Sequence, residues 1–235
     1  MDALEFIWQL ESHRSGRASE KRSPLAADGE DVVWGVRMGQ VFALAKRFVH
    51  MPLEEIEKLL ESPIHEARVG AVSIMDFQAR SKKTTPGRRK ELFDLYIRRH
   101  DRINSWDLVD RSAPYVVGGY LFEKSRKILY KLARSKNMPE RRTAIVSTGF
   151  FIRQREVEDT FKIAEVLIED PEDLIHKATG WMLRAAGDVD PPKLLGFLDR
   201  HAATMPRTTL RYATEHLDTK QRDYYLGLKK KNSSH

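Results

Sequence analysis

The feature that most constrains the fold of this chain is a series of breaks at regular intervals. Each break contains Pro, Gly, Asn or Asp, and helix-like spacing of apolar residues resumes after it. Proline fixes the backbone torsion that a first helical turn requires, and it disrupts a helix interior. Seven of the ten prolines stand where a first turn would begin, at positions 52, 63, 86, 139, 171, 191 and 206. The breaks therefore separate predicted helices of roughly 10–17 residues.

Two short runs, 115–121 and 144–152, are rich in β-branched and aromatic residues, which are also typical of strands. Neither has a partner strand across a short turn. We therefore predict that 144–152 is a buried helix and that 115–121 is a helix end with a Gly-Gly turn. The polar stretch 14–31 is predicted to be a mobile loop, and 229–235 a polar tail.

Three segments, 66–77, 140–151 and 176–187, align without gaps, and 210–217 is a fourth candidate. One alignment column holds a basic residue in all four, and these residues are Arg68, Arg142, Lys177 and Arg211. Their intervals are 74, 35 and 34 residues, and the first is about twice the others, which places a missing member near 103–111. Such a period predicts an all-α, HEAT-like helical-repeat solenoid, which we expect to form a single domain over residues 1–235.

A recurring basic column would line the concave face of such a solenoid with positive charge, suited to DNA phosphates. The alternative is four unrelated, solvated side chains near helix starts. The net charge of +7, from 41 Lys and Arg against 34 Asp and Glu, fits an anionic partner such as nucleic acid or a membrane surface.

Composition excludes several classes of protein. With no cysteine, the chain cannot carry a disulfide scaffold, a cysteine zinc site, an iron–sulfur cluster or a thiol nucleophile. No two of its eight histidines are three or four residues apart, and no nucleotide-binding or hydrolase glycine motif is present. We expect no metal and no cofactor.

The N-terminus is acidic rather than a secretory signal, and no apolar run is long enough for a membrane span. We expect an intracellular protein of the cytoplasm and nucleoid, or of the nucleus.

The segment 103–115 has a possible helix cap at Asn104 or Ser105. After this cap, Trp106 and Asp110 stand four apart, which puts both on one face of a short helix. A second tryptophan, Trp181, lies among small residues in KATGWMLR. Each tryptophan taken alone is equally consistent with ordinary packing.

Four motifs occur in the order NSWDLVD, RRTAIVS, KATGWMLR and RYATEHL. Together they resemble the AlkD-type DNA glycosylases, an alkylation-repair family built from HEAT-like repeats. The resemblance covers about residues 33–217. It implies that Asp110 is the catalytic carboxylate, that Trp106 and Trp181 face the base and sugar, and that Arg142 is the active-site arginine. Family members often have a second tryptophan at the place of Ser105.

The resemblance implies a DNA glycosylase acting on duplex DNA. No lysine is placed for a Schiff base, so we expect a monofunctional enzyme without lyase activity, and we expect a monomer. It would hydrolyse the N-glycosidic bond of cationic N3- and N7-alkylpurines, such as 3-methyladenine and 7-methylguanine, without base flipping. Two alternatives stay open. The chain could be a non-catalytic HEAT-like protein that binds bent or branched DNA. It could also be a protein-binding scaffold whose basic column meets an acidic partner.

Overall fold

The computed structural model describes residues 1–14 and 32–228, and within these ranges the chain is helical apart from its connections. The one β contact among them is an isolated parallel bridge between Val32 and Ile64. The α-helices are α1 Ala3–Glu11, α2 Met38–Arg47, α3 Leu53–Leu60, α4 His65–Arg80, α5 Pro86–Arg98, α6 Trp106–Ala113, α7 Gly119–Leu121, α8 Lys127–Leu132, α9 Met138–Arg153, α10 Glu158–Val166, α11 Asp173–Val189, α12 Pro191–His201, α13 Arg207–Ala213 and α14 Thr219–Gly227. The predicted all-α helical-repeat fold is confirmed. The basic face stays a prediction.

Prolines and polar caps account for many of the helix starts. Pro86 and Pro191 are the first residues of α5 and α12, and Pro52 and Pro206 occupy the N-cap positions of α3 and α13. The side chain of Asn137 accepts a hydrogen bond from the backbone N–H of Glu140 at the start of α9. The same cap geometry, an acceptor side chain three residues before its donor, recurs at α1, α5, α12 and α14. The predicted loop 14–31, apart from its first residue, and the predicted tail 229–235 lie outside the described residues.

The chain divides into two compact units, residues 1–123 and 124–235. The single domain predicted over 1–235 stays a prediction. In the first unit α4 is the central helix and packs against α1, α2, α3, α5 and α6. The ring of Phe6 lies directly over Gly70 of α4, where an added Cβ would come 2.3 Å from the Phe6 Cζ. Glycine at this position therefore lets α1 dock closely on α4.

In the second unit, α11 packs against α9 on one side and α13 on the other. These three helices carry the aligned segments 140–151, 176–187 and the start of 210–217. The helix predicted at 144–152 is confirmed as the interior of α9. The contact between α11 and α13 depends on Gly180, because a Cβ there would lie 2.6 Å from the Thr209 carbonyl oxygen and 2.5 Å from the Tyr212 Cβ.

The Gly-Gly turn predicted within 115–121 is wrong. The chain stays helical through both glycines, as a π-helical turn over Pro114–Gly118 followed by α7. The cause is Pro114, which has no N–H to donate to the carbonyl of Asp110 four residues earlier. The backbone widens instead, and the N–H of Gly119 bonds to the carbonyl of Pro114 five residues earlier.

We predict that Gly180→Ala destabilises the protein by about 1–3 kcal/mol, because the added methyl group overpacks the contact between α11 and α13. Thermal or urea unfolding measures the change. Gly196→Ala in α12 is the matched control, since nothing lies within 4 Å of its added Cβ and the change reduces unfolded-state entropy. Equal stabilities of the two variants would contradict the proposed close approach.

Candidate functional site

The short helix α6 carries the first pair of predicted site residues. Ser105 occupies the N-cap position, so the predicted helix start is confirmed. Its hydroxyl does not cap the backbone but donates a hydrogen bond to the Asp107 carboxylate at 2.6 Å. Trp106, the first residue of α6, is 36% exposed, which is high for tryptophan, and Asp110 is half-buried. Their spacing of four places them one above the other on the same face of α6.

The first turn of α6 is attached to α4 through an acid–histidine pair. Nε2 of the buried His65 lies 2.7 Å from Oδ2 of Asp107. Burial alone would raise the pKa of Asp107, but the hydrogen bonds from His65 and Ser105 outweigh this effect and hold the pKa below its ordinary value. Asp107 therefore stays ionised and fixes the turn that begins with Trp106.

The loop before α6 is held by Arg68, a residue predicted to contact DNA. Its side chain is fully buried, and its Nη1 donates to the Arg102 carbonyl at 3.3 Å and to Oδ1 of Asn104 at 3.0 Å. Burial, reinforced by the nearby charge of Arg102, lowers the pKa of Arg68 to about 10. In this position the guanidinium supports the loop rather than facing solvent.

Two further contacts join α4 to α6 and to the π-helical turn that follows it. Nη1 of Arg111 lies 2.9 Å from Oδ2 of Asp76 on α4. The guanidinium of Arg80, at the end of α4, lies 3.9 Å from the ring centre of Tyr115, in the π-helical turn. Positions 107, 111 and 115 thus meet α4 at intervals of four residues. This leaves Trp106 and Asp110 on another side of α6.

The remaining predicted residues belong to the second unit. Arg142 is buried in α9, and its Nη1 donates to the carbonyl of Leu174 just inside α11. Trp181 is half-buried in the middle of α11. Lys177, one turn before Trp181, is partly exposed and pairs with Asp173 at 2.7 Å. The structure thus places these side chains on two adjacent helices of that unit.

The four members of the basic column differ in exposure. Arg68 and Arg142 are buried, with backbone carbonyls as acceptors, whereas Lys177 and Arg211 are at the surface. The Arg211 guanidinium lies 5.7 Å from the ring centre of Tyr212. Phosphate contact stays a prediction for all four. The exposure of Lys177 and Arg211 to solvent is compatible with such a contact.

Sequence reasoning missed the residues that attach α6 to α4, namely His65, Asp76, Asp107 and Arg111. A local signal existed, since Asp107 and Arg111 are four apart and so are Asp76 and Arg80. A spacing of four is typical of ion pairs along one helix and does not indicate a partner on another helix. Asp76 does pair with Arg80 on its own helix, but the contacts that join α6 to α4 are made between helices, 35 residues apart for Asp76 with Arg111 and 42 residues apart for His65 with Asp107.

The described residues hold no group of three or more His, Cys, Asp or Glu side chains that could bind a metal ion. None of the helices described is long and apolar enough to cross a membrane.

Residues 9–217 match the family described as DNA alkylation repair enzyme, and the chain belongs to that family. Membership assigns it a role in DNA repair, with DNA as its partner.

A solved structure described as a predicted DNA alkylation repair enzyme from Enterococcus faecalis has a similar fold. Its TM-score is 0.64 at 18% sequence identity, covering 86% of this chain and 99% of that chain. At this identity the likeness shows the fold alone. A search of curated proteins finds no match.

We predict that Asp107→Asn lowers the free energy of unfolding at pH 7 by about 1–2 kcal/mol, because it weakens hydrogen bonds to a charged group. The pKa of Asp107 is lower in the folded state than in the unfolded state, where it is roughly 4. Ionised Asp107 therefore stabilises the fold fully at pH values above the unfolded-state pKa, and this stabilisation is lost as the pH falls through the folded-state pKa. The difference between wild type and variant should therefore shrink on acidification.

Urea unfolding at several pH values between neutrality and pH 3 measures this difference. Asp223→Asn, which alters an exposed carboxylate of α14, is the control and should leave the stability curve unchanged. A constant offset between wild type and Asp107→Asn over the whole range would show that ionisation of Asp107 has no stabilising role.

Proposed function

We propose that this protein is a monofunctional DNA glycosylase for cationic N3- and N7-alkylpurines in duplex DNA. The observation that carries the proposal is the pairing of the exposed Trp106 with Asp110 on one face of α6, in a chain of the DNA alkylation repair family. An exposed indole can stack against a cationic base or its sugar, and a carboxylate one turn away can act on the bond between them.

The reaction needs little from the protein beyond charge stabilisation. Alkylation at N3 or N7 makes the purine cationic, so the base leaves with the electron pair of the C1′–N bond and becomes neutral. Positive charge then develops on the deoxyribose. The ionised Asp110 would stabilise this charge and orient the attacking water, whose oxygen bonds to C1′ and whose proton passes to solvent. The products are the free base and an abasic site.

The other site residues have supporting roles in this proposal. The interaction of a tryptophan face with a nearby cation contributes about 0.5–2 kcal/mol of favourable free energy. The family resemblance assigns this interaction to Trp106 and Trp181. The same resemblance makes Arg142 the active-site arginine. The resemblance also implies that the lesion is processed while it remains stacked in the duplex, and we propose the same for this protein, without base flipping. The reaction requires no cofactor and no second subunit.

We predict that Asp110→Asn lowers the rate of 7-methylguanine release from a duplex with one such lesion by about 10²–10³-fold, because the neutral amide does not stabilise the developing cation. DNA affinity should change by less than about threefold, since the substitution removes no phosphate contact. Single-turnover release of the free base and a separate binding titration measure the two quantities.

Asp94→Asn is the matched control for this experiment. It removes a carboxylate of the same unit, on α5, whose partner is the neighbouring Lys90. Its release rate should equal that of wild type. Wild-type activity in Asp110→Asn would exclude the carboxylate role. Salt-sensitive DNA binding with no release of base by the wild type would instead identify a non-catalytic DNA-binding protein.

We also predict that the surface members of the basic column bind phosphates. Replacing Lys177 or Arg211 with Ala should weaken binding equally for different DNA sequences and should reduce the slope of log affinity against log salt by about 1. Titrations at several salt concentrations measure this slope. Lys90→Ala, which breaks an exposed pair on α5, is the control. An unchanged slope in both column variants would exclude these contacts.

A further inference from the structure

Arg111 directly follows the proposed catalytic carboxylate, yet its side chain is directed into the protein. It is 19% exposed, its Nη1 lies 2.9 Å from Oδ2 of Asp76, and its Nε donates to Oγ of Ser73 at 3.0 Å. The guanidinium also lies between two rings, 4.9 Å from the centre of Phe42 and 4.8 Å from that of Phe77. The charge is therefore fixed by contacts with α2 and α4.

The acceptor of this ion pair is fully buried. Asp76 has no exposed surface, and Arg80, one turn later on α4, pairs with it as well at 2.8 Å. A buried carboxylate requires charged or hydrogen-bonding partners, and removing one partner is much costlier than breaking a surface pair. Burial lowers the pKa of Arg111, and the adjacent Asp76 opposes this shift. The pair is thus a fixed point between α4 and α6.

A fixed point on a short helix determines where its other faces are directed. Successive residues of an α-helix are about 100° apart, so anchoring Arg111 sets the direction of Asp110. Two other polar contacts with α4 flank Arg111 along the chain, the pair of His65 with Asp107 in α6 and the contact of Arg80 with Tyr115 in the π-helical turn. Arg111 is the central anchor and the one nearest to Asp110.

The backbone after Arg111 makes this anchor more important. Pro114 removes the N–H that would otherwise bond to the Asp110 carbonyl, and the wider π-helical turn begins there. One regular hydrogen bond, from residue 114 to the carbonyl of Asp110, therefore cannot form at the end of α6. Side-chain contacts with α4 constrain this segment independently of the hydrogen bonds within the helix.

From these contacts we propose that Arg111 is a positioning residue, which through its buried ion pair with Asp76 sets the direction in which α6 presents Asp110 and Trp106. The inference deepens the proposed function and rests on it. Arg111 itself touches neither the lesion nor the reacting atoms. Its effect on the reaction is the orientation of a carboxylate, and small errors in such an orientation reduce rates strongly.

The test compares Arg111→Met with Arg126→Met in the full chain. Arg126 is a matched control in the other unit. It is 18% exposed, it pairs with Asp159 and Glu156 at 2.6 Å each, and it lies 4.0 Å from the centre of the Phe151 ring. Both substitutions remove a half-buried cation that is held by carboxylates and an aromatic ring. Both should lower the unfolding temperature.

Only Arg111→Met should lower the single-turnover release of 7-methylguanine, by about 10–100-fold, while its DNA affinity stays within about threefold of wild type. Arg111→Lys, which keeps the charge, should restore part of the rate. Ser73→Ala removes only the hydrogen bond that Arg111 Nε donates and should lower the release rate less than Arg111→Met does. It replaces Arg111→Met as the test variant if Arg111→Met does not fold.

A second measurement does not depend on catalysis. The indole N–H resonance of Trp106, identified by its loss in Trp106→Phe, should shift in Arg111→Met, or in Ser73→Ala, and not in Arg126→Met. If the wild type released no base, the proposed function would fail, and this resonance would still test the position of α6.

Three outcomes would overturn the positioning role. The first is weaker DNA binding at an unchanged rate, which would make Arg111 a phosphate contact. The second is an equal loss of rate in Arg111→Met and Arg126→Met at a temperature where both are folded, which would reflect general destabilisation. The third is an unshifted Trp106 resonance in every variant of this anchor.

Discussion

The ion pairs made by the carboxylate of Asp76 are the interactions on which the first unit depends most. It is fully buried in the central helix α4, and it is charge-paired with Arg80 on that helix and with Arg111 on α6. An ionised group can be buried only when such partners are fixed in place. The consequence is that α6, although short and interrupted by Pro114, has one orientation against α4. The exposed Trp106 and its neighbour Asp110 take their direction from that orientation.

Close helix packing supplies the frame around these polar contacts. Gly70 lets the ring of Phe6 lie on α4, and Gly180 lets α13 approach α11 at the residue before Trp181. In both cases the missing Cβ is what allows the contact. Each unit thus combines tight apolar packing, which sets distances between helices, with a few buried polar groups, which set their rotation.

The candidate site was predictable from sequence where its geometry is local. Trp106 and Asp110 share a face because they are four apart in a helix whose start the sequence predicts at Asn104 or Ser105. The basic column was less predictable. Arg68 and Arg142 occupy equivalent alignment positions to Lys177, yet both are buried and donate to backbone carbonyls 32–34 residues away. The repeat alignment detects equivalent positions on helices, but tertiary packing decides which of these side chains reach solvent.

The sequence alone determined that the chain is helical and where most helices begin, because prolines and capping residues act on backbone torsions and hydrogen bonds within about four residues. It also determined which residues share a helix face. The tertiary structure alone decided that the chain stays helical through Gly118 and Gly119, that Arg68 supports a loop, and that Arg111 is anchored on Asp76. The physical reason is that burial and ion pairing depend on groups distant in sequence, whose proximity exists only once the helices have packed.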